Sequence, residues 1–422
     1  MTAHYCCIDT IIGPTYHYGG LALGNTHSLD HKHVVANPKK AALQGLVKMK
    51  LLLDHGISQY VLPAYVRDYK GLVQGYYNNQ GDFEDNLKRL YDENLDIFSS
   101  FFSASSAWLA NAWTMTPSID SLDGRYHVSP ASLNACFHRQ LDVKQTIAIL
   151  TNRLCSKTYV TCHHPSPFFD EGAANMIRLS AGGKGLYLFV SGSSDSKRFK
   201  SRHDKRSWKS LVSQHQLDPD YVIYLTQHPD AIDAGVFHND VISFGLDDLL
   251  VVHENAFVDQ INYCDSILER YFSCFGTDLT LIQIPDSILP LKDAVNSYFF
   301  NSQLVRKDDN RYLLLVPSRC KGLPVMDYFV SIVAKKWESQ LEIMVCDVEE
   351  SIKNGGGPAC LRNSIDVYDD PNLIFNDRYL FTLEKYDDFV RLVNQYYPSS
   401  LELNDFLSVS FLNDLDTINL FF

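Results

Sequence analysis

The chain has 422 residues, of which 45% are hydrophobic and 21% charged, the composition of a globular protein able to bury a core. Its formal net charge of -13 disfavours nucleic acid as a partner of the whole surface. No apolar run approaches the roughly 18 residues of a membrane span, and the N-terminal stretch lacks the pattern of a secretory signal.

Helical and strand patterns alternate along the chain. Apolar residues at helical spacing predict helices at 38–56, 143–154 and 291–304, and the first of these begins with a proline and ends at a glycine. Short apolar runs rich in β-branched or aromatic residues predict strands at 221–225, 249–253, 279–284, 312–317 and 341–348. This alternation indicates an α/β or mixed α+β protein.

Ten cysteines are scattered along the chain without a C-x-x-C pair. In the absence of a secretory signal they are expected to be reduced thiols in a cytoplasmic protein, mostly small buried residues, with one or two reactive at most. The histidines His31, His33, His163 and His164, the last two beside Cys162, do not have zinc-type spacing, so no metal site is expected.

One local stretch is basic, although the chain as a whole is acidic. Residues 196–209 carry seven lysines or arginines. A charge run of this kind is usually a solvated loop, and the alternative is that one arginine turns inward to hold a carboxylate.

A glycine-rich turn at 354–360, NGGGPAC, places Cys360 at the end of a tight loop. Consecutive glycines permit positive φ and a close approach of the backbone to a ligand, which suits an accessible nucleophile. The alternative is a surface turn followed by a buried cysteine.

Two acidic strings could supply the partners of a nucleophile. In the string DAGVFHND, His238 and Asp240 are separated by one residue and would face the same side of an extended segment. In the string FFDEGAAN, Asp170 and Glu171 follow two phenylalanines, so that a carboxylate there would be partly desolvated. The structural alternatives are a solvated hairpin turn and the acidic first turn of a helix.

Together these strings resemble the motifs of one family. The similar segments, in the same order between about residues 8 and 363, are GPTYHYGGLALGNTHS, NPKKAALQGLVKMK, SASSAWLANAWTMTPSIDSLDGRYH, LNACFHR, DEGAANMIRL, HPDAIDAGVFHNDVI, YFFNSQL and ESIKNGGGPACLR. They resemble the N-succinylarginine dihydrolases of the guanidine-modifying (pentein) superfamily. The implied fold is an α/β propeller of five ββαβ-type modules with pseudo-fivefold symmetry, here one catalytic domain over residues 1–422 that ends in a helical closing segment at about 395–422.

The resemblance also implies roles for individual residues. Cys360 would be the nucleophile, His238 and Glu171 the other catalytic residues, and Asp240 the holder of the substrate guanidinium. The implied substrate-binding positions are Gly19, Gly20, Leu21, Ala22, Leu23, Gly24, Asn25, Thr26, His27, Ser28, Asn111, His138, Arg139, Arg206, Asp240 and Asn354. The chain departs from the family pattern at Trp113 and Met176.

The implied activity is hydrolysis of N-succinylarginine to N-succinylornithine, two ammonia and carbon dioxide in arginine catabolism. No cofactor, metal, nucleic acid or membrane would take part, and the protein would be a cytoplasmic homodimer acting on a small molecule. The alternatives are a single-step reaction like that of arginine deiminases or amidinotransferases, a non-catalytic guanidine-binding protein, and a cysteine protease. Counting the ammonia released per substrate separates the first of these from a dihydrolase.

Overall fold

The computed structural model describes residues 3–65, 67–307, 311–337 and 340–419. Its strands are β1 His4–Thr10, β2 Ser58–Leu62, β3 Trp113–Thr116, β4 Tyr126–Pro130, β5 Val160–Cys162, β6 Met176–Ser180, β7 Gly185–Ser191, β8 Val222–Thr226, β9 Ser243–Leu246, β10 Leu249–His253, β11 Thr280–Ile284, β12 Gln303–Arg306, β13 Tyr312–Pro317, β14 Leu341–Cys346 and β15 Arg362–Val367. Its helices are α1 Thr26–Asp30, α2 Pro38–Asp54, α3 Tyr69–Tyr76, α4 Phe83–Glu93, α5 Leu95–Phe102, α6 Phe137–Gln140, α7 Val143–Ile149, α8 Lys205–Gln214, α9 Pro229–Ala234, α10 Gln260–Phe275, α11 Leu291–Ser297, α12 Pro324–Trp337, α13 Glu349–Lys353, α14 Pro371–Ile374, α15 Leu383–Tyr396 and α16 Val409–Asn419.

The strands form five small sheets of three strands each within the described residues. The strand orders are β15-β1-β2, β3-β4-β5, β6-β7-β8, β9-β10-β11 and β12-β13-β14. In each sheet the central strand pairs antiparallel with the first strand and parallel with the third. Parallel neighbours require a crossover connection, and helices α2, α7, α8, α10 and α12 lie in these crossovers. The five ββαβ modules implied by the resemblance are therefore confirmed.

The five modules share a common axis. The first strand of every module lines one internal cavity of about 110 Å³, here called the axial cavity. One lining residue from each of these strands is Met115, Ile177, Phe244, Leu304 and Ile365. The ring closes because the N-terminal strand β1 lies between β2 and the late strand β15, with His4 opposite Val367.

The predicted strands are all present, and their bounds are most accurate at the centre of a sheet. The central strands β10 and β13 coincide with the predicted ranges 249–253 and 312–317. Both are buried along their whole length, so they read as continuous apolar runs. The third strands β8, β11 and β14 differ from the predicted bounds by one or two residues at one or both ends.

Two of the three predicted helices agree with the structure. Helix α2 begins after Asn37, whose side chain accepts a hydrogen bond from the Lys40 amide, and ends just before Gly56, at φ +77. Helix α7 continues through a π-helical turn, Leu150–Leu154, and so covers the range predicted for it.

The third helix prediction, 291–304, is wrong in its second half. Helix α11 ends at Ser297, because Tyr298 adopts a left-handed conformation with φ +57. The chain then makes a short turn, Phe299–Asn301, and enters strand β12. The aromatic and apolar residues that prolong the helical pattern are buried by this turn and strand instead.

The C-terminal part of the chain packs over the N-terminal helices. Leu401 pairs with Ala36 just before α2, and the Phe406 ring stacks on Phe102 of α5 at 4.3 Å. Asp416 of α16 accepts a hydrogen bond from Tyr69 of α3 at 2.9 Å. Residues 420–422 of the expected closing segment lie outside the described residues. Within the part of the chain that the structure describes, no helix has both the length and the apolar character needed to cross a bilayer.

Candidate active site

Short turns precede the first strand of each module and contact one another around the axis. Four are helical turns, Leu109–Asn111, Gly172–Asn175, Asn239–Val241 and Phe299–Asn301, and the fifth is the Gly357–Cys360 turn before β15. Because the following strands all line the axial cavity, these turns meet at one end of it. Residues that are far apart in sequence are thereby collected in one place.

Glu171 and His238 form a buried pair at the starts of two of these turns. His238 Nε2 lies 2.8 Å from Glu171 Oε2, and both side chains are at most 1% exposed. Burial acts to raise the pKa of Glu171, but His238 and two arginines outweigh it and hold that pKa at about 2. Burial lowers the pKa of His238 in spite of the carboxylate beside it. The pair therefore rests as a carboxylate and a neutral imidazole, whose Nδ1 has no hydrogen-bond partner.

Cys360 faces Asp240, which carries the second carboxylate of the site. Its Sγ lies 3.3 Å from Asp240 Oδ2, and burial followed by Asp240 raises the pKa of the thiol well above its ordinary value. Asn301 fixes this arrangement, since its Oδ1 accepts from the Cys360 amide at 3.2 Å and its Nδ2 donates to the Asp240 carbonyl at 3.2 Å. The resting thiol is therefore neutral and donates to Asp240. Asp240 Oδ1 has no partner.

The glycines before Cys360 allow two loops to touch. Gly355 has φ +92, and a side chain there would overlap Asn25. Asn25 Nδ2 instead donates to the Gly355 carbonyl at 2.9 Å, while Asn354 donates to the His17 carbonyl at 2.9 Å and accepts from Ser28 at 3.4 Å. The predicted loop from Gly19 to Ser28 is thus packed against the loop that leads to Cys360.

Two buried arginines flank Glu171. Arg139 bonds to Asn111 Oδ1 and lies 3.5 Å from Glu171 Oε2. Arg202 lies 4.0 Å from the same oxygen and donates to the carbonyl of Leu23 in the opening loop. His138, also buried, has a pKa well below its ordinary value because of burial and the neighbouring arginines. The structure places Asn111, His138 and Arg139 close to one another.

Arg206 is the exception among the implied positions. Its side chain is 67% exposed, pairs with Asp204 at 2.6 Å and lies over the Phe168 ring. The basic stretch does turn one arginine inward, but that residue is Arg202, which is 6% exposed. The assignment of Arg206 to the site is therefore replaced by Arg202. The available signal was Asp204, a typical N-cap, which places Arg206 in the first turn of a surface helix.

The remaining positions of the opening loop differ in exposure. Gly19, Gly20, Gly24, Asn25, His27 and Ser28 are buried, whereas Leu21, Ala22 and Thr26 are partly exposed and Leu23 is exposed. Asn301 was not singled out from the sequence, although it stands two residues before its strand as Asn111 and Cys360 do. In the described part of the chain, no group of three or more His, Cys, Asp or Glu side chains is arranged to hold a metal ion.

Solved structures with a similar fold include the N-terminal domain of ArgZ, an arginine dihydrolase from the ornithine-ammonia cycle in cyanobacteria, determined with bound product. It matches with a TM-score of 0.55 and 13% identity over 86% of this chain and 97% of that one. The binary complex of an AgrE C264A mutant with L-arginine matches with a TM-score of 0.55 and 14% identity, over 87% and 41% of the two chains. At this identity the likeness concerns the fold, and it agrees with the pentein architecture.

Sequence relatives cover nearly the whole chain. The N-succinylarginine dihydrolase of Photorhabdus laumondii is 36% identical over 97% of this chain and 94% of its own length. The enzyme of the same name from Pseudomonas aeruginosa is 36% identical over 96% and 93% of the two chains. A family model described as succinylarginine dihydrolase matches residues 3–419. This chain belongs to the succinylarginine dihydrolase family.

Proposed function

We propose that this chain is an N-succinylarginine dihydrolase that converts N-succinylarginine and two waters into N-succinylornithine, two ammonia and carbon dioxide. The observation that carries the proposal is the convergence of a buried thiol, an imidazole and two carboxylates beside two buried arginines, in a chain of this family. This donor and acceptor set matches a substrate that has a cationic guanidinium at one end and carboxylates at the other.

The guanidinium is best held by the two carboxylates. Asp240 Oδ1 and Glu171 Oε1 are buried acceptors without a partner, and a guanidinium offers planar N–H donors that suit them. Bound in this way, the central carbon of the guanidinium lies near Cys360, since Asp240 is in contact with the thiol.

Substrate binding also prepares the nucleophile. Burial and the Asp240 carboxylate keep the thiol protonated in the free enzyme, with a raised pKa. A bound guanidinium cation neutralises Asp240 and stabilises a thiolate, which is the reactive form. The thiol therefore ionises when the correct cation is in place.

The reaction then proceeds through two covalent cycles. As the thiolate forms, the thiol proton passes to the neutral His238. The thiolate adds to the central carbon, and His238 delivers that proton to the leaving nitrogen, so that ammonia departs. Water, deprotonated by His238, attacks the remaining adduct and releases the sulfur, which leaves a ureido group on the substrate. A second cycle expels the second ammonia, and hydrolysis of that adduct gives a carbamate that breaks down to carbon dioxide and the amine. Glu171 orients His238 and stabilises its protonated form.

Arg139 and Arg202 are the proposed anchors for the substrate carboxylates. Arginine presents a planar fork of N–H donors that matches a carboxylate, and the Arg139 Nε is buried without a partner. Their position beside Glu171 places both cations close to the catalytic pair.

The proposal is tested by mass spectrometry of the products formed from N-succinylarginine, together with an ammonia assay. We expect N-succinylornithine and two ammonia per substrate consumed. Free arginine is the control substrate and should react far more slowly, because it lacks the succinyl carboxylate and carries an α-ammonium group instead. Accumulation of N-succinylcitrulline with one ammonia per substrate would instead identify a deiminase-like enzyme.

The cellular context belongs to the same proposal. We propose a cytoplasmic homodimer, which is what the family resemblance implies. The ten cysteines are all free, as expected for a reducing compartment. Light scattering coupled to gel filtration would measure the oligomeric state, and a monomer at working concentration would contradict the dimer.

A further inference from the structure

The axial cavity borders the site on the Asp240 side, and among the described residues its lining includes neither Cys360 nor His238. Asp240, which contacts Cys360, and Ala359, which precedes it, both line the cavity. Among the described residues, its lining includes neither the opening loop from Gly19 to Ser28 nor the arginines Arg139 and Arg202. It is therefore a space separate from the loops and cations that meet the substrate chain.

The cavity is polar enough to hold water. Arg362 Nε belongs to a lining residue and is buried without a protein partner. Buried polar atoms of this kind are usually satisfied, and ordered water is one of their partners. A single water needs on the order of 10–15 Å³ of such space, so a cavity of about 110 Å³ has room for several.

Ion pairs close the far end of the cavity. Asp366, a lining residue, pairs with Arg178 at 2.7 Å and also with Arg306. Arg306 pairs in turn with Asp247 at 2.7 Å. Arg306 and Asp247 line a second, open cavity of about 740 Å³. The ion pairs thus separate the axial cavity from this open cavity.

The proposed chemistry requires water to arrive while the substrate chain is in place. In both covalent adducts the succinylornithine arm remains attached to the carbon bonded to sulfur, so the arm still occupies the side from which it entered. Each cycle nevertheless consumes one water.

We propose that the axial cavity stores the hydrolytic water and supplies it to the adduct carbon on Cys360 from the Asp240 side. This inference rests on the proposed function. In each cycle the water oxygen bonds to the adduct carbon, its proton passes to His238, and the carbon–sulfur bond breaks to return the electron pair to sulfur. The two cycles together consume two waters, and a cavity of about 110 Å³ has room for both at the start.

The test compares two changes at Leu304, which lines the cavity from β12. Leu304→Phe adds volume to the lining and displaces water, whereas Leu304→Ala removes packing at the same position and enlarges the space. With N-succinylarginine, we expect hydrolysis of the adduct in Leu304→Phe to slow by about a hundredfold, the lower end of what positioned proton transfer contributes. The adduct on Cys360 should therefore accumulate in intact-protein mass spectra, while Leu304→Ala should show no such accumulation.

A second position guards against a variant that fails to fold. Ile177→Phe fills the same cavity from β6 and should also accumulate the adduct. Circular dichroism and the melting temperature confirm folding of each variant. Adduct hydrolysis at the wild-type rate in both folded phenylalanine variants would overturn the reservoir. Wild-type protein that releases one ammonia per substrate would overturn the proposed function instead, so the two failures are distinguishable.

Discussion

Arg202 and Arg206 belong to the same basic stretch but have opposite environments. Arg202 is buried near Glu171, and Arg206 is exposed and paired with Asp204. We expect Arg202→Gln to raise the KM for N-succinylarginine by about ten- to a hundredfold, since hydrogen bonds to a charged group contribute roughly 1.5–3 kcal/mol. Steady-state kinetics measure the effect.

Arg206→Gln is the matched control for that prediction. It removes the same charge from the same stretch and should leave KM close to that of wild type, because the Arg206 side chain is exposed and paired with Asp204 rather than turned into the site. If Arg206→Gln raised KM and Arg202→Gln did not, the replacement of Arg206 by Arg202 in the site would be wrong.

Asp170 gives a prediction of pH dependence beside the catalytic pair. Burial raises its pKa from 3.8 to about 7, although the Gly172 amide donates to it. A carboxyl group whose pKa is raised in the folded state stabilises the fold fully at pH values below the pKa that it has in the unfolded chain. This stabilisation is lost as pH rises through about 7, the pKa in the folded state. The neighbouring His203 has a pKa of about 3 and stays neutral in that window.

Asp170→Asn should therefore become more stable relative to wild type as pH rises from about 4 to above 7. The asparagine keeps an oxygen for the Gly172 amide but carries no charge. The difference should reach a few kcal/mol at most, since one pKa unit corresponds to about 1.4 kcal/mol. Melting temperatures of both proteins across this range measure it. A difference that does not change with pH would show that Asp170 is not titrating there.

At the scale of elements, the loop that leads to Cys360 depends on a backbone conformation that only glycine adopts easily, at Gly355. Gly355→Ala would place a side chain on Asn25 at a φ of +92. We expect a loss of kcat/KM of about a hundredfold, because a shift on the order of 1 Å in a catalytic group has effects of that size. Enzyme kinetics measure the loss of kcat/KM, and the melting temperature shows whether the variant is also destabilised.

Gly322→Ala separates backbone strain from the contact at the site. Gly322 has φ +80, and an added Cβ there would meet nothing within 4 Å. This variant should lose about 1–2 kcal/mol of stability from the left-handed conformation and keep its activity. Equal losses of activity in the two variants would attribute the effect to general destabilisation instead.

Secondary structure was predictable where the burial of an element leaves a clear pattern of apolar residues in the sequence. Strands β10 and β13 are buried on both faces, so their apolar runs mark their ends. The helix prediction over 291–304 was wrong in its second half because Tyr298 adopts a left-handed conformation that ends the helix. Tyrosine rarely adopts this conformation, so the sequence does not predict it. The resemblance implied Arg206, and the residues of the basic stretch alone did not identify which arginine turns inward; the N-cap Asp204 marks Arg206 as part of a surface helix.

At the scale of the whole molecule, the fivefold arrangement could be anticipated only from family resemblance. The modules share a strand order, but their first strands, such as WTMT and SFGL, share no repeated pattern of residues. Ring closure pairs His4 with Val367, and such a distant pairing leaves no local signal. The meeting of Cys360, His238 and Glu171 follows from that closure, since their turns lie before β15, β9 and β6.

The same architecture explains how an acidic protein can bind an anionic substrate. The net charge of -13 belongs to the whole chain, whereas Arg139 and Arg202 place two buried cations beside the catalytic pair. Local charge, in a site shielded from solvent, outweighs distant surface charge that salt screens within about 10 Å. Under the proposed function, anion recognition is therefore a property of the ring centre.

Acid quenching during turnover of N-succinylarginine, followed by peptide mass mapping, tests most directly whether one sulfur attacks the substrate carbon. We expect an adduct with the mass of the substrate less ammonia, carried by Cys360 alone, and its absence from a Cys360→Ser protein whose turnover falls by about 10⁴-fold or more. Turnover at the wild-type rate in Cys360→Ser, or the adduct on another cysteine, would contradict the assignment of Cys360 as the nucleophile.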